Sequence, residues 1–194
     1  MKKICNVILI ILVIIAVILC MEIINRKNKS SENEKNIAST INQIKNEIEK
    51  TNTENNQELP YIEYEGYQVI GTIKIEKINI EYPILNESNE ASMKKSITKF
   101  WGDKINQIGN VTLSGHNNMD GTMFGKIKKL EIGDKITILD LYNNEVTYEI
   151  FNKYVTDPND VNVVKNTEEE TKEITLITCT NGNKNRFIIK AKEI

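Results

Sequence analysis

Ile174–Lys190 reads ITLITCTNGNKNRFIIK. Two short apolar strands flank a turn made of Asn181, Gly182 and Asn183, residues that tolerate positive φ and favour a hairpin. With Gly182 and Asn183 as the central pair, Cys179 stands opposite Arg186, Leu176 opposite Ile189 and Ile177 opposite Ile188. Opposite residues share a face, with Cβ atoms roughly 4.5–5.5 Å apart. The reading therefore puts a thiol and a guanidinium on one face of one hairpin. A wider loop moves the register by one or two residues.

The chain has 194 residues, enough for one domain and an appendage, and a net charge of −2. No strongly basic face is expected, so nucleic acid is not an expected partner. Of three cysteines, Cys5 and Cys20 lie in the N-terminal apolar run, which leaves Cys179 as the one thiol of the soluble part. A disulfide within that part is therefore excluded, and no CxxC pattern is present. His116 is the single histidine, so a multi-histidine metal site is excluded; neither a metal nor another cofactor is expected.

Lys2 and Lys3 precede the unbroken apolar run Val7–Leu19, inside a wider segment Ile4–Ile24. About 20 such residues are enough to cross a bilayer as a helix. No A-x-A-like site follows, so residues 1–24 are expected to be an uncleaved signal anchor. Arg26, Lys27 and Lys29 make the flanking charge mixed. The expected arrangement is a single-pass cell-membrane protein with its bulk outside. Residues 25–58 are polar, with Ile37, Ile41, Ile44 and Ile48 at helical spacing. A solvated stalk helix with a weak apolar stripe is the expectation; a helix packed on the domain or on a second copy is the alternative.

The folded domain is expected over residues 59–194. Val69–Ile75 and Ile78–Leu85 read as strands, with Pro83 marking an edge or a bend. Ser88–Lys95 reads as a short helix capped by Ser88, and Phe100, Trp101 and Gly102 as a packed turn. Gly109–Ser114 is a strand, Gly133-Asp134 a turn, and strands are expected near Lys135–Leu141 and Glu145–Tyr154. Val155–Glu173 is an irregular connection of a length that usually serves function. Many short strands, few helices and closely spaced turns point to a mostly β, closed barrel with short helices.

Three residues are candidates for chemistry. Cys179 reads blandly as a small buried strand residue. Its place at a strand end, its cationic partner and the presence of one histidine argue instead for an activated nucleophile. His116, in Ser114-Gly115-His116-Asn117-Asn118, is either a satisfied loop histidine or a general acid to a leaving amine and then base to an incoming one. Asn117 is a candidate to orient its ring. Arg186 is either an exposed ion-pair residue or a fixed donor to an oxyanion or substrate carbonyl, for which its planar fork is suited.

Thr175-Leu176-Ile177-Thr178-Cys179 resembles the TLxTC signature of the sortases, and Arg186 stands where their essential arginine follows. Gly115-His116-Asn117 with Gly121-Thr122-Met123-Phe124 resembles their histidine segment. The resemblance covers roughly Val69 to Ala191, in order. It implies an eight-stranded sortase-type barrel outside a Gram-positive membrane. It implies a cysteine transpeptidase that cuts a C-terminal LPxTG-type sorting signal of surface proteins between Thr and Gly. An amine acceptor, on a cell-wall precursor or a pilin lysine, then resolves the acyl-enzyme. By position, Cys179 would be the nucleophile, His116 the acid/base and Arg186 the clamp. Thr178, Ile177, Asn117, Val161 and Val163 would contact the signal, with the Val155–Glu173 connection as a wall of its groove.

GTMFGKIKKL after the histidine resembles class B, but the connection before the cysteine strand is shorter than the class B helical insertion. The aromatic lid and C-terminal membrane helix of class C are not read here. A class D-like or intermediate enzyme is implied. Two other readings stay open: a cysteine protease that mainly hydrolyses, and a non-catalytic peptide-binding surface domain.

Overall fold

A computed structural model describes residues 2–53 and 60–194. The expected domain start at Leu59, and the end of the expected stalk beyond Thr53, lie outside the described residues. The chain forms two units, Met1–Ile37 and Ala38–Ile194. One helix, α1 (Lys2–Thr53), runs through the first and into the second. In the first unit the large side chains described from Ile10 to Ile24 are exposed. Among the described residues no helix is long and apolar enough to cross a membrane. The side chains of residues 2–5 and 7–9, where the apolar run begins, lie outside the described ones.

In the second unit nine strands form one sheet. They are β1 (Glu63–Tyr64), β2 (Tyr67–Ile75), β3 (Ile80–Leu85), β4 (Ile97–Trp101), β5 (Gly109–Ser114), β6 (Lys135–Asp140), β7 (Glu145–Thr156), β8 (Lys172–Thr180) and β9 (Asn185–Glu193). Eight of them follow one another in the order β2-β3-β4-β5-β8-β9-β7-β6, and β6 pairs back onto β2. The barrel is therefore closed, which removes the exposed edges an open sheet would carry. The short β1 pairs with the start of β2, beyond the reach of β6.

Closure brings backbones very close at Gly71, which pairs with Ile84 on one side and Asp140 on the other, next to a bulge. A Cβ there would lie 2.3 Å from the Leu139 carbonyl oxygen. Alternating apolar residues fill the barrel: Ile73, Ile84, Leu113, Ile138, Leu176 and Ile189 are all fully buried. A polar cluster also lies buried in the fold. The Tyr148 hydroxyl donates to Asn106 Oδ1 at 2.9 Å, and Asn106 Nδ2 donates to the Ile138 and Asn144 carbonyls at 3.1 and 2.8 Å. Burial raises the Tyr148 pKa well above its ordinary value, so the ring stays a neutral donor.

Several local expectations are revised. The stripe of residues 38–53 is not solvated: Ile41, Ile44 and Ile48 are buried, and the last two pack with Val69, Leu85 and Leu141. An isoleucine every turn is enough to hold a helix face against a barrel. Ile78 belongs to a 3₁₀ turn, Glu76–Ile78, ended by left-handed Asn79. Pro83 fits because Ile80–Pro83 pair only with β2, while β4 meets Ile84 and Leu85. The cap of the short helix α2 (Glu90–Met93) is Asn89, not Ser88. Asn89 and Ser92 complete a capping box. Phe100 and Trp101 do not form a packed turn; they end β4 and are 55% and 59% exposed. The long connection is shorter than Val155–Glu173, because β7 and β8 extend into it, and it contains a 3₁₀ turn at Val161–Val164.

The packed helix is testable. Ile44→Ala should lower unfolding free energy by about 2–5 kcal/mol in denaturant melts, as expected for a large-to-small core change. A change within about 0.5 kcal/mol would return this segment to the status of a solvated stalk.

Candidate active site

The hairpin keeps the expected register. Cys179 pairs with Arg186, Ile177 with Ile188 and Leu176 with Ile189. Pairing ends at Thr180 and Asn185, so the loop has four residues rather than two. Asn181, Gly182 and Asn183 all have positive φ (52°, 62° and 70°). The loop widens symmetrically about the same centre, which is why the register survives.

Histidine reaches this hairpin through β5, which lies parallel to β8 with Ser114 beside Ile177. Three hydrogen bonds continue the contact past the strand end. Gly115 N donates to the Ile177 carbonyl at 3.2 Å. Thr178 Oγ1 donates to the Gly115 carbonyl at 2.7 Å, and Asn117 Nδ2 to the Cys179 carbonyl at 2.8 Å. His116 lies between the second and third of these tethers. Its own carbonyl accepts from Phe124 N at 3.0 Å, and Asn117 bridges to Met123. Gly115 is required beneath it: a Cβ there would lie 2.5 Å from Ile97 Cδ1 and 2.8 Å from the Phe124 ring. The GH pair and the downstream TMF stretch thus make one turn that presents the imidazole.

His116, Cys179 and Arg186 all line one cleft of about 930 Å³. All three are half-buried. Arg186 Nη1 donates to the Asn183 and Asn185 carbonyls of the turn at 3.1 and 3.2 Å. Among the described residues its Nε and Nη2 have no partner and no carboxylate pairs with it, so donors remain for a bound group. Thiol, imidazole and anchored guanidinium in one cleft are the groups that a nucleophile, an acid/base and an oxyanion donor require. Among the described residues no cluster of His, Cys, Asp and Glu is placed to hold a metal ion.

Thr178, Ile177, Val161 and Val163 line the same cleft. Asn117 does not; its amide holds the Cys179 strand end instead of the imidazole or a ligand. Asp157, Pro158, Asn159, Asp160, Val164 and Lys165 complete the wall formed by the connection after β7.

Other lining residues are not legible in the sequence: Ser88, Met93, Ser114, Phe100 and Trp101 also line the cleft. Ser88, Thr98 and Ser114 share a hydroxyl network, with Thr98 Oγ1 2.9 Å from both serine oxygens. Neighbours in a regular strand point to opposite faces, but a bulge between Lys99 and Trp101 lets both aromatic residues line the cleft. The only signal was two adjacent bulky rings breaking the alternation.

The wall has its own acid-sensitive contact. Asp160 caps the 3₁₀ turn: Oδ2 accepts from Thr156 Oγ1 at 2.7 Å and Oδ1 from Asn162 N at 2.9 Å. The Thr156 hydroxyl, then the Asn162 amide, hold its carboxyl below the ordinary aspartate value. A depressed folded pKa means that the cap's contribution is complete above the unfolded pKa. It is lost as pH falls through the lower folded one. An NMR titration of the Asn162 amide should therefore show a midpoint below the ordinary value of about 3.9. A midpoint at or above it would contradict the cap.

Comparison with known proteins agrees with this geometry. A family model described as the Sortase domain matches residues 73–194. The chain is similar to sortase A of Bacillus anthracis, 35% identical over 127 residues, covering 63% of this chain and 58% of that protein. It is similar to sortase A of Listeria monocytogenes, 32% identical over 117 residues, covering 60% of this chain and 51% of that protein. The chain thus spans little more than half the length of these curated relatives. Among solved structures, a Clostridium perfringens sortase D5 transpeptidase superposes with a TM-score of 0.65 at 31% identity, covering 81% of this chain and 97% of that one. With a closed eight-stranded barrel, this cleft and a family match over more than half of its length, the chain belongs to the sortase family.

Proposed function

We propose that this protein is a membrane-anchored cysteine transpeptidase of the class D-like kind. It cleaves an LPxTG-type sorting signal and transfers the upstream part to an amine. The observation that carries the reading is the pairing of Cys179 with Arg186 in the cleft that His116 also lines. The relatives named sortase A and the structure titled a sortase D5 transpeptidase support it. The exposed apolar side chains of residues 10–24 favour an anchor; the barrel outside the cell is part of the proposal.

In this reading the Cys179 thiolate attacks the Thr carbonyl of the signal. Arg186 donates to the oxyanion, and His116 gives its proton to the departing Gly amine. A Thr–Cys179 thioester remains. An incoming amine, on a cell-wall precursor or a pilin lysine, loses a proton to His116 as it attacks, and the thiolate leaves. Water in place of that amine would make the protein a protease. A purely binding role is disfavoured because Cys179 is not sealed in the core and the imidazole has no hydrogen-bond partner among the described residues.

The direct experiment incubates the protein with sorting peptides, with and without an added amine. The expected product with amine is the ligated peptide; hydrolysed peptide alone in both reactions would favour the protease. Cys179→Ala should abolish both products while circular dichroism is unchanged. Arg186→Lys separates clamp from surface charge. A clamp predicts a fall of about 10²–10³ in kcat. An exposed charge is worth only roughly 0–1 kcal/mol, and a near wild-type rate would remove Arg186 from the catalytic set.

A further inference from the structure

The cleft wall at Val161–Lys165 has no strand pairing to hold it, yet its backbone carbonyls are met from below by buried side chains of three strands. Lys190 of β9 pairs with Thr175 of β8, and Asn110 of β5 lies near Thr175. Lys190 is 7% exposed, and its Nζ donates to the Lys165 carbonyl at 2.6 Å. The single proton of Thr175 Oγ1 is shared between the Val163 carbonyl at 3.2 Å and Asn110 Oδ1 at 3.0 Å. Asn110 Nδ2 reaches both carbonyls at 3.4 Å. On the far limb of the same connection the roles reverse. Buried Glu173 accepts from Thr167 N at 2.9 and 3.0 Å and from Glu168 N at 2.9 Å. Donors thus meet the carbonyls of one limb, and an acceptor meets the amides of the other.

Burying an ammonium is costly unless it is used. Here the strand surface supplies a charged donor beneath a stretch whose other side, at Val161, Val163, Val164 and Lys165, lines the cleft. We propose that Lys190, assisted by Asn110 and Thr175, is a positioning residue that holds this wall in its peptide-binding form and so sets affinity for the substrate peptide. It acts through the Val163 and Lys165 carbonyls and touches neither the reacting atoms nor the peptide. A wall ordered in advance spares the peptide the entropy of ordering it on binding. The proposal rests on the transpeptidase reading only in naming the ligand.

The test is Lys190→Met, which keeps an unbranched stem as far as Cε and removes the ammonium donor. The first readout needs no substrate: amide hydrogen exchange of residues 161–165 in the protein without peptide. Exchange there should speed up, while the β8–β9 pairs keep their protection. The second is steady-state cleavage of a fluorogenic LPxTG-type peptide. KM should rise roughly tenfold or more while kcat changes less than about threefold, the pattern of lost binding common to ground and transition states. Unchanged exchange at 161–165, or a fall in kcat with KM unchanged, would overturn the proposal. Should Lys190→Met not fold, Asn110→Ala carries the same expectations. A wild type that cleaves none of the peptides contradicts the transpeptidase reading, and exchange alone then upholds or overturns the anchoring.

Discussion

The parallel pairing of β5 with β8 is the constraint on which the site depends. It aligns Ser114 with Ile177, so that the two chains leave the barrel at the same level, one toward His116 and the other toward Cys179. Tethers from Gly115, Thr178 and Asn117 then fix the exit of one strand against the other. Without that alignment the imidazole and thiol would belong to separate loops. The pairing joins residues far apart in sequence, an arrangement whose loop-closure cost is repaid only when the rest of the barrel closes. The Gly71 contact between β2 and β6 is therefore linked to the site, although it lies on another seam of the barrel.

Polar groups in this molecule are buried where backbone must be held without a strand partner. Asn106, itself held by the Tyr148 hydroxyl, and Asp140 hold the carbonyls and amides around the β6–β7 turn. Lys190, Asn110, Thr175 and Glu173 do the same beneath the cleft wall. Each set satisfies groups that would otherwise be desolvated without partners. The cleft combines a floor of regular strands with an irregular wall tied down at several points. That combination suits an extended peptide, which needs a shaped groove more than a deep cavity.

Much of the site was legible because it depends on local chemistry. Asn181-Gly182-Asn183 announces a hairpin, and a symmetric widening of its loop leaves Cys179 opposite Arg186. The lone histidine beside glycine marks a special turn, although the need for Gly115 became physical only with Ile97 and Phe124 packed against it. What the sequence hid is tertiary. Nothing local distinguishes the Ile44–Ile48 stripe of a solvated helix from one seated on Val69 and Leu85. A one-residue bulge decides that both Phe100 and Trp101 face the cleft, and bulges leave no reliable composition. Ser88 looked like a cap, but its neighbour Asn89 has the side-chain geometry to accept two amides, which left Ser88 for the hydroxyl network.

The register of this hairpin and the tethers to β5 place Cys179 Sγ where the proposed reaction needs its acyl carrier. Intact-protein mass spectrometry after brief mixing with an LPxTG-type peptide tests it most directly, with peptide mapping to locate the modification. One adduct is expected, with the mass of the acyl fragment ending at the peptide's threonine, confined to Cys179 and discharged when an amine is added. Cleavage of the peptide with no adduct on Cys179, or an adduct that forms equally on the Cys179→Ala protein, would contradict it.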